Sequence, residues 1–245
     1  MIKAIDVSEW QGNINFTKVK AAGIGACIIR YADGKLLDDF FDINMAECQK
    51  KKIHFGAYIY SRAKTKDEGK EEARRLIAAC KKYKFDMPLY IDMESPQNRA
   101  DPNGVIDGFL EVCDAENIKG GIYANLNWFL NYIDVVKYVD RPLWIAQYYD
   151  YITDINPSYF GMWQYTSSGK VDGIAGYVDL NHLYVKYWDN ETEKEYPDNI
   201  KAMAVDTILE KYGNDEERKE RLGEYYDLVQ ELVNIIYQKC GGIKK

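Results

Sequence analysis

PLYIDMES, residues 88–95, decides how the chain is read. A short apolar run follows Pro88 and ends in two acids, Asp92 and Glu94. Its length and composition are those of a buried strand. Side chains alternate along a strand, so the two carboxylates share a face, ~6.5–7 Å apart along the backbone. Runs of the same kind lie outward on both sides, at 2–7 (IKAIDV), 25–31 (GACIIRY), 53–60 (IHFGAYIY) and 119–124 (KGGIYA). Between them stand helix candidates near 15–22, 38–51, 67–83 and 104–117. The third places Ala73, Leu76, Ile77 and Cys80 on one face, with Thr65 or Asp67 positioned to cap its start. Repeated strand–helix units of about 25–30 residues imply parallel strands joined by right-handed crossovers.

After a further helix candidate at 126–138 the rhythm changes. Runs at 142–148 (PLWIAQY), 161–166 (GMWQYT) and 176–181 (GYVDLN) are too close together to enclose full helices. Strands whose helices disappear late in the chain predict an α/β fold, a small and irregular (β/α) barrel over 1–187. An open doubly wound sheet is the alternative, but the chain has no glycine-rich phosphate loop to support it. Residues 188–197 (WDNETEKEYP) are polar and acidic and read as a linker. Beyond them, 198–245 holds helix candidates at 199–211, 214–222 and 225–239 and no strand-like run, an all-α three-helix module. So short a module is near the lower limit for folding alone, and is expected to lean on the barrel or on a copy of itself.

Composition narrows the function. Thirty-nine acids against 32 bases give a formal charge of −7, which argues against wholesale binding to nucleic acid or an anionic membrane surface. The five cysteines are odd in number and form no CxxC, so they read as buried thiols rather than a disulfide framework or a zinc site. The opening MIKAIDVSEWQG has an acid at position 6 and no apolar core, unlike a signal peptide. The expectation is a soluble cytoplasmic chain that meets any outside substrate only after release.

Asp6 ends the first strand candidate and Asp179 lies in the last. First and last strands of a barrel are neighbours, so Asp6, Asp92, Glu94 and Asp179 converge on one mouth, at the end where barrel enzymes keep their active sites. Mutual repulsion there splits carboxyl pKa values, which is what a general acid and its charged partner need. Clustered acids also suit magnesium or calcium, but no EF-hand pattern or phosphate loop is present, and the expectation is no metal and no cofactor. The other strand ends carry Tyr31, Tyr58, Tyr60, Tyr123, Asn125, Trp144, Gln147, Trp163, Gln164 and Tyr165. Rings that stack on sugars and amides that bond hydroxyls suit a glycan groove. His54 and His182, the only histidines, read as structural.

These motifs resemble a known family. DVSEWQG (6–12), GAYIYSRA (56–63), YIDMES (90–95), GIYAN (121–125), PLWIAQY (142–148) and MWQYTSSGKVDGIAGYVDLN (162–181) are similar to family 25 glycoside hydrolases, bacterial and phage lysozymes. The resemblance covers about 1–187 and implies an eight-stranded barrel with five helices, (β/α)5β3. It implies hydrolysis of the peptidoglycan β-1,4 bond between N-acetylmuramic acid and N-acetylglucosamine. Glu94 matches the general acid, Asp92 its partner, and Asp6 and Asp179 the supporting acids. Tyr60 departs from the family, many members of which carry another aromatic or a histidine-containing pair there. Retention is implied, by a protein nucleophile or by the substrate's own acetamido oxygen.

The tail, KYGNDEERKERLGEYYDLVQELVN (211–234), resembles a cell-wall-binding repeat of some phage lysozymes that binds a muropeptide. Asp215 stands where a glycine is usual, and Tyr212, Gly213, Asn214 and Arg218 are the implied contacts. A simpler reading has Gly213 ending one helix and Asn214 or Asp215 capping the next. The whole then resembles an endolysin or autolysin, made without a signal peptide and reaching the wall once the membrane is breached. The rival readings are a barrel that grips wall glycan without cutting it, and a glucosaminidase or chitinase-like hydrolase.

Overall fold

A computed structural model describes residues 1–148, 160–188, 197–208 and 211–239. The chain divides into two compact units, Met1–Trp188 and Asp189–Lys245. In the first, strands β1 (Ile2–Val7), β2 (Ala26–Asp33), β4 (His54–Tyr60), β5 (Leu89–Asp92), β6 (Gly120–Asn125), β7 (Leu143–Ala146), β8 (Met162–Gly169) and β9 (Val178–Leu183) close into a barrel. Neighbours run in the order β1-β9-β8-β7-β6-β5-β4-β2, and β1 pairs with β2 to close it. Helices α1 (Phe16–Ala21), α2 (Phe41–Lys51), α3 (Lys66–Cys80), α4 (Pro102–Ala115) and α5 (Leu126–Asn131) lie between successive strands.

The side-chain alternation divides the barrel into two packed layers. Ala4, Ala26, Ile28, Tyr90, Tyr123, Trp144, Met162 and Leu183 fill the interior. Ile5, Cys27, Ile29, Phe55, Ile59, Leu89, Ile91, Ile122 and Ile145 point outward against Phe41, Leu76, Ile77, Phe109 and Trp128 of the helices. Small residues make room for large ones inside: a Cβ on Gly121 would lie 2.5 Å from the Tyr90 ring. The helices are capped as their sequences specify. The Thr65 hydroxyl accepts from the Glu68 amide, Asp101 caps α4 ahead of Pro102, and Asn125 caps α5. Helices α3 and α4 cross at two glycines. A Cβ on Gly69 would lie 2.2 Å from the Val105 carbonyl oxygen, and one on Gly108 2.1 Å from that of Lys66.

Three features differ from the sequence expectation. Parallel pairing holds among β1, β2 and β4 through β8, but β9 is antiparallel to both β8 and β1, because the short connection between β8 and β9 makes a hairpin rather than a crossover. The helix candidate at 126–138 is α5 followed by a 3-10 turn at Val135–Tyr138, separated where the Asp134 amide leaves the helix to bond the Asn103 side chain. A two-residue strand, β3 (Leu36–Leu37), forms a hairpin with the end of β2.

In the second unit, α6 (Asp198–Ile208), α7 (Asp215–Leu222) and α8 (Tyr226–Lys239) surround a small core of Ile200, Ala204, Leu222, Val229, Leu232 and Val233. Most of the linker expected at 188–197, and Cys240, lie outside the described residues. Among the described residues no helix is long and apolar enough to cross a membrane. Cys27, Cys48, Cys80 and Cys113 are buried free thiols.

Candidate active site

Three strands bring the four acids together. Asp6 lies opposite Asp179 in the β1–β9 register, and Asp92 ends β5 between Tyr60 of β4 and Tyr123 of β6. Glu94 follows two residues on, half-buried, and its Oε2 accepts a 3.2 Å hydrogen bond from Asn125 Nδ2. Asp6 and Asp92 are buried. The Asp6 Oδ2 accepts from Gln164 Nε2 at 2.9 Å and from Asn181 Nδ2 at 2.8 Å. The hydroxyls of Tyr123 and Tyr148 donate to Gln164 Oε1 at 3.0 and 2.7 Å, and the Trp144 indole N–H donates to Asn181 Oδ1 at 2.7 Å. Each amide thus has its oxygen loaded with donors and its nitrogen turned toward Asp6.

Burial raises all four carboxyl pKa values, since an ion loses hydration that the protein does not replace. For Glu94 the charge of Asp179 adds to burial and the Asn125 hydrogen bond opposes it. Asp92 is held well above the usual carboxylate range by burial, then by the charges of Glu94, Asp6 and Asp33, against the pull of Arg62. Burial and Asp179 hold Asp6 well up despite its two amide donors. A side-chain interaction between Asp6 and Asp179 across the β1–β9 ladder raises Asp6 further and pulls Asp179 down against its burial. Asp92 Oδ1 is buried with no hydrogen-bond partner among the described residues. The mouth therefore holds a half-exposed acid that stays protonated above the normal glutamate range. Beside it is a carboxyl oxygen without a donor.

The sugar-contact candidates separate into two groups. Tyr58, Tyr123, Asn125 and Gln164 stand on interior strand positions with the acids, and Tyr60 pairs with Asp92 at the rim. Trp144 is also interior but fully buried below them, its ring against Tyr123 and Tyr58, so it supports the site rather than lining it. Tyr31 and Trp163 do not face the mouth. Tyr31 has the outward parity of Cys27 and Ile29 and packs edge-on against Phe41 of α2. Trp163 precedes the inward Gln164 and so packs in the outer layer, its N–H donating to the Gln147 carbonyl. Gln147 is buried, with its Oε1 unpartnered among the described residues. Tyr165 stacks on His182 at 4.3 Å. Sequence reasoning passed over Asn181, although DLN at 179–181 gives it the same parity as Asp179. It also passed over Tyr148 and Arg62.

In the second unit Tyr212 packs against the small core and Gly213 takes φ 73°, the left-handed region that suits glycine. Asn214 precedes α7 without a side-chain capping bond. Arg218 donates to the Gly213 carbonyl at 3.1 Å and to Gln230 Oε1 at 3.4 Å, while its Nε is buried without a partner among the described residues.

An eight-stranded α/β barrel with paired acids at the C-terminal mouth defines a glycoside hydrolase of the lysozyme type. Residues 5–174 match Glycosyl hydrolases family 25, and the chain belongs to that family. It is 29% identical to an autolytic lysozyme of Clostridium acetobutylicum over 234 residues, 86% of this chain and 67% of that protein. The catalytic domain of the endolysin ply40, from bacteriophage P40 of Listeria monocytogenes, superposes with a TM-score of 0.63 at 25% identity, over 77% of this chain and 96% of that one. The modular autolysin LytC of Streptococcus pneumoniae, solved with a synthetic peptidoglycan ligand, shares the fold at TM-score 0.66 and 23% identity, over 74% of this chain. This chain spans only 46% of LytC.

Proposed function

We propose that the protein is an N-acetylmuramidase that cleaves the β-1,4 bond from N-acetylmuramic acid to N-acetylglucosamine in peptidoglycan. The observation that carries this reading is Glu94, half-buried and raised in pKa, beside the donor-free Oδ1 of Asp92. Protonated Glu94 gives its proton to the leaving glycosidic oxygen. The buried oxygen of Asp92 accepts the N–H of the substrate's 2-acetamido group and orients its carbonyl oxygen toward the anomeric carbon. That attack expels the leaving sugar with retention, and Glu94 then activates the water that opens the cyclic intermediate. Gln164 and Asn181 keep Asp6 in place, and Asp6 and Asp179 hold the charge state around the pair.

The barrel is read as (β/α)5β3, with 198–245 as a helical wall-binding module of an endolysin. The YGND turn and Arg218 support that second part, as does the compactness of the unit. Removing residues 189–245 is expected to weaken sedimentation with walls, and equal sedimentation of the truncated chain overturns the targeting role. The chemistry is tested by digesting purified peptidoglycan, reducing with borohydride and weighing the soluble fragments. Muramitol at the new ends supports the reading. Glucosaminitol moves the cleaved bond, and no new ends from a protein that binds walls leaves a binding module.

A further inference from the structure

The mouth is crowded with negative charge. Around Asp6, Asp92, Glu94 and Asp179 lies also Asp33, at the end of β2. Arg30 faces the same region, but Asp38 and Glu9 occupy its guanidinium at 2.9 and 2.7 Å. Arg62 differs. It stands two residues past Tyr60, with its guanidinium 4.5 Å over the Tyr60 ring. Its Nε and Nη2 are held by the two oxygens of Asp33 at 2.6 and 2.9 Å. Asp33 is itself fixed by the hairpin, where the Gly34 amide donates to the Tyr60 carbonyl and Arg75 donates to that of Gly34. The Nη1 edge is turned the other way, toward Ser95, the residue after Glu94. Among the described residues its contact there is a 3.4 Å approach to the Ser95 hydroxyl. The Arg62 side chain is 41% exposed.

A guanidinium fixed along one edge and stacked on a ring loses little further entropy when its other edge takes an oxygen anion. We propose that Arg62 is a specificity-determining residue whose Nη1 edge takes a carboxylate of the lactyl-peptide branch on the muramyl sugar beside Glu94. This rests on the muramidase reading. An uncharged chitin chain offers that edge nothing, while a stem-bearing strand offers the anion that the surrounding acids would otherwise repel.

The test compares two substrates, native peptidoglycan and the same peptidoglycan with its carboxylates converted to amides by carbodiimide coupling. For the unaltered enzyme, amidation is expected to lower kcat/KM about tenfold, chiefly through KM, as the loss of one charge-assisted contact does. Arg62→Gln should be that slow on native substrate and lose nothing more on the amidated one. Asp33→Asn removes the ion pair that ties the hairpin to β4 but keeps the cation, and should still distinguish the two substrates. The proposal is overturned by an Arg62→Gln enzyme that loses the same factor on both substrates, by indifference of the unaltered enzyme to amidation, or by an Asp33→Asn enzyme as blind as Arg62→Gln. Muramitol ends from the unaltered enzyme are scored in the same digests. Their absence from both substrates takes down the muramidase reading itself, and this proposal with it.

Discussion

Replacing Glu94 with Gln removes a proton donor while leaving almost everything around it in place. The Gln amide oxygen still accepts from Asn125 Nδ2, the side-chain partner of Glu94 among the described residues. A general acid contributes ~10²- to 10⁴-fold to a rate, which is ~2.7–5.4 kcal/mol of transition-state stabilisation. Turnover of peptidoglycan, followed as reducing ends released, should fall by that factor with KM little changed. Stability should move the other way. Burial raises the folded-state pKa of Glu94, so the folded protein binds this proton more tightly than the unfolded chain. That contribution is fully present below the unfolded pKa and is lost as pH rises through the folded one. Gln never ionises, so the variant should melt at or above the wild-type temperature near pH 7, with the advantage gone below about pH 4. Folded Glu94→Gln protein that turns over within about threefold of wild type would refute the assignment, since no general acid is worth so little.

Other outcomes follow from the same geometry. Asn125→Asp keeps the cap on α5 but exchanges the donor facing Glu94 for a negative charge. The alkaline limb of the pH–kcat/KM profile should move to higher pH, and an unmoved limb separates it from Glu94. Asp6→Asn offers Gln164 and Asn181 an acceptor and Asp179 an N–H. Because both pKa values of the pair are raised, wild type loses stability as pH climbs through them. Asp6→Asn should therefore raise the melting temperature near neutral pH and not in acid, and a fall at neutral pH contradicts the raised carboxyl values. Gly108→Ala sets a methyl against the Lys66 carbonyl oxygen and should cost about 1–3 kcal/mol in denaturant unfolding. An unchanged midpoint means the helices separate freely.

Period two carried most of what the sequence disclosed. It placed Asp92 and Glu94 on one face, and strand order placed Asp6 beside Asp179. The same rule, applied strictly, separates Trp163 from Gln164, because adjacent residues of a strand cannot both face inward. It also turns Tyr31 outward, since Tyr31 shares the parity of Cys27 and Ile29; only the shift after Arg30, which sets Ala32 opposite Ile59, lay beyond it. Asn181 carries no charge or ring to attract notice, and its importance lies in a bond to a residue 175 positions away. Arg62 lies past the end of its strand, where alternation no longer predicts direction. The antiparallel course of β9 could be read only from the shortness of its approach.

The place of β9 between β8 and β1 has a consequence for how the enzyme comes into being. The first carboxylate made is Asp6, and the two amides that hold it arrive 158 and 175 residues later. Until β9 docks, β1 has an open edge and Asp6 lacks its partner from the last strand. Contacts of such sequence separation form late and slowly. A nascent or interrupted chain therefore carries the acid pair of β5 without the framework that tunes it. Completion of the barrel by β9 is the step that gives Asp6 its framework.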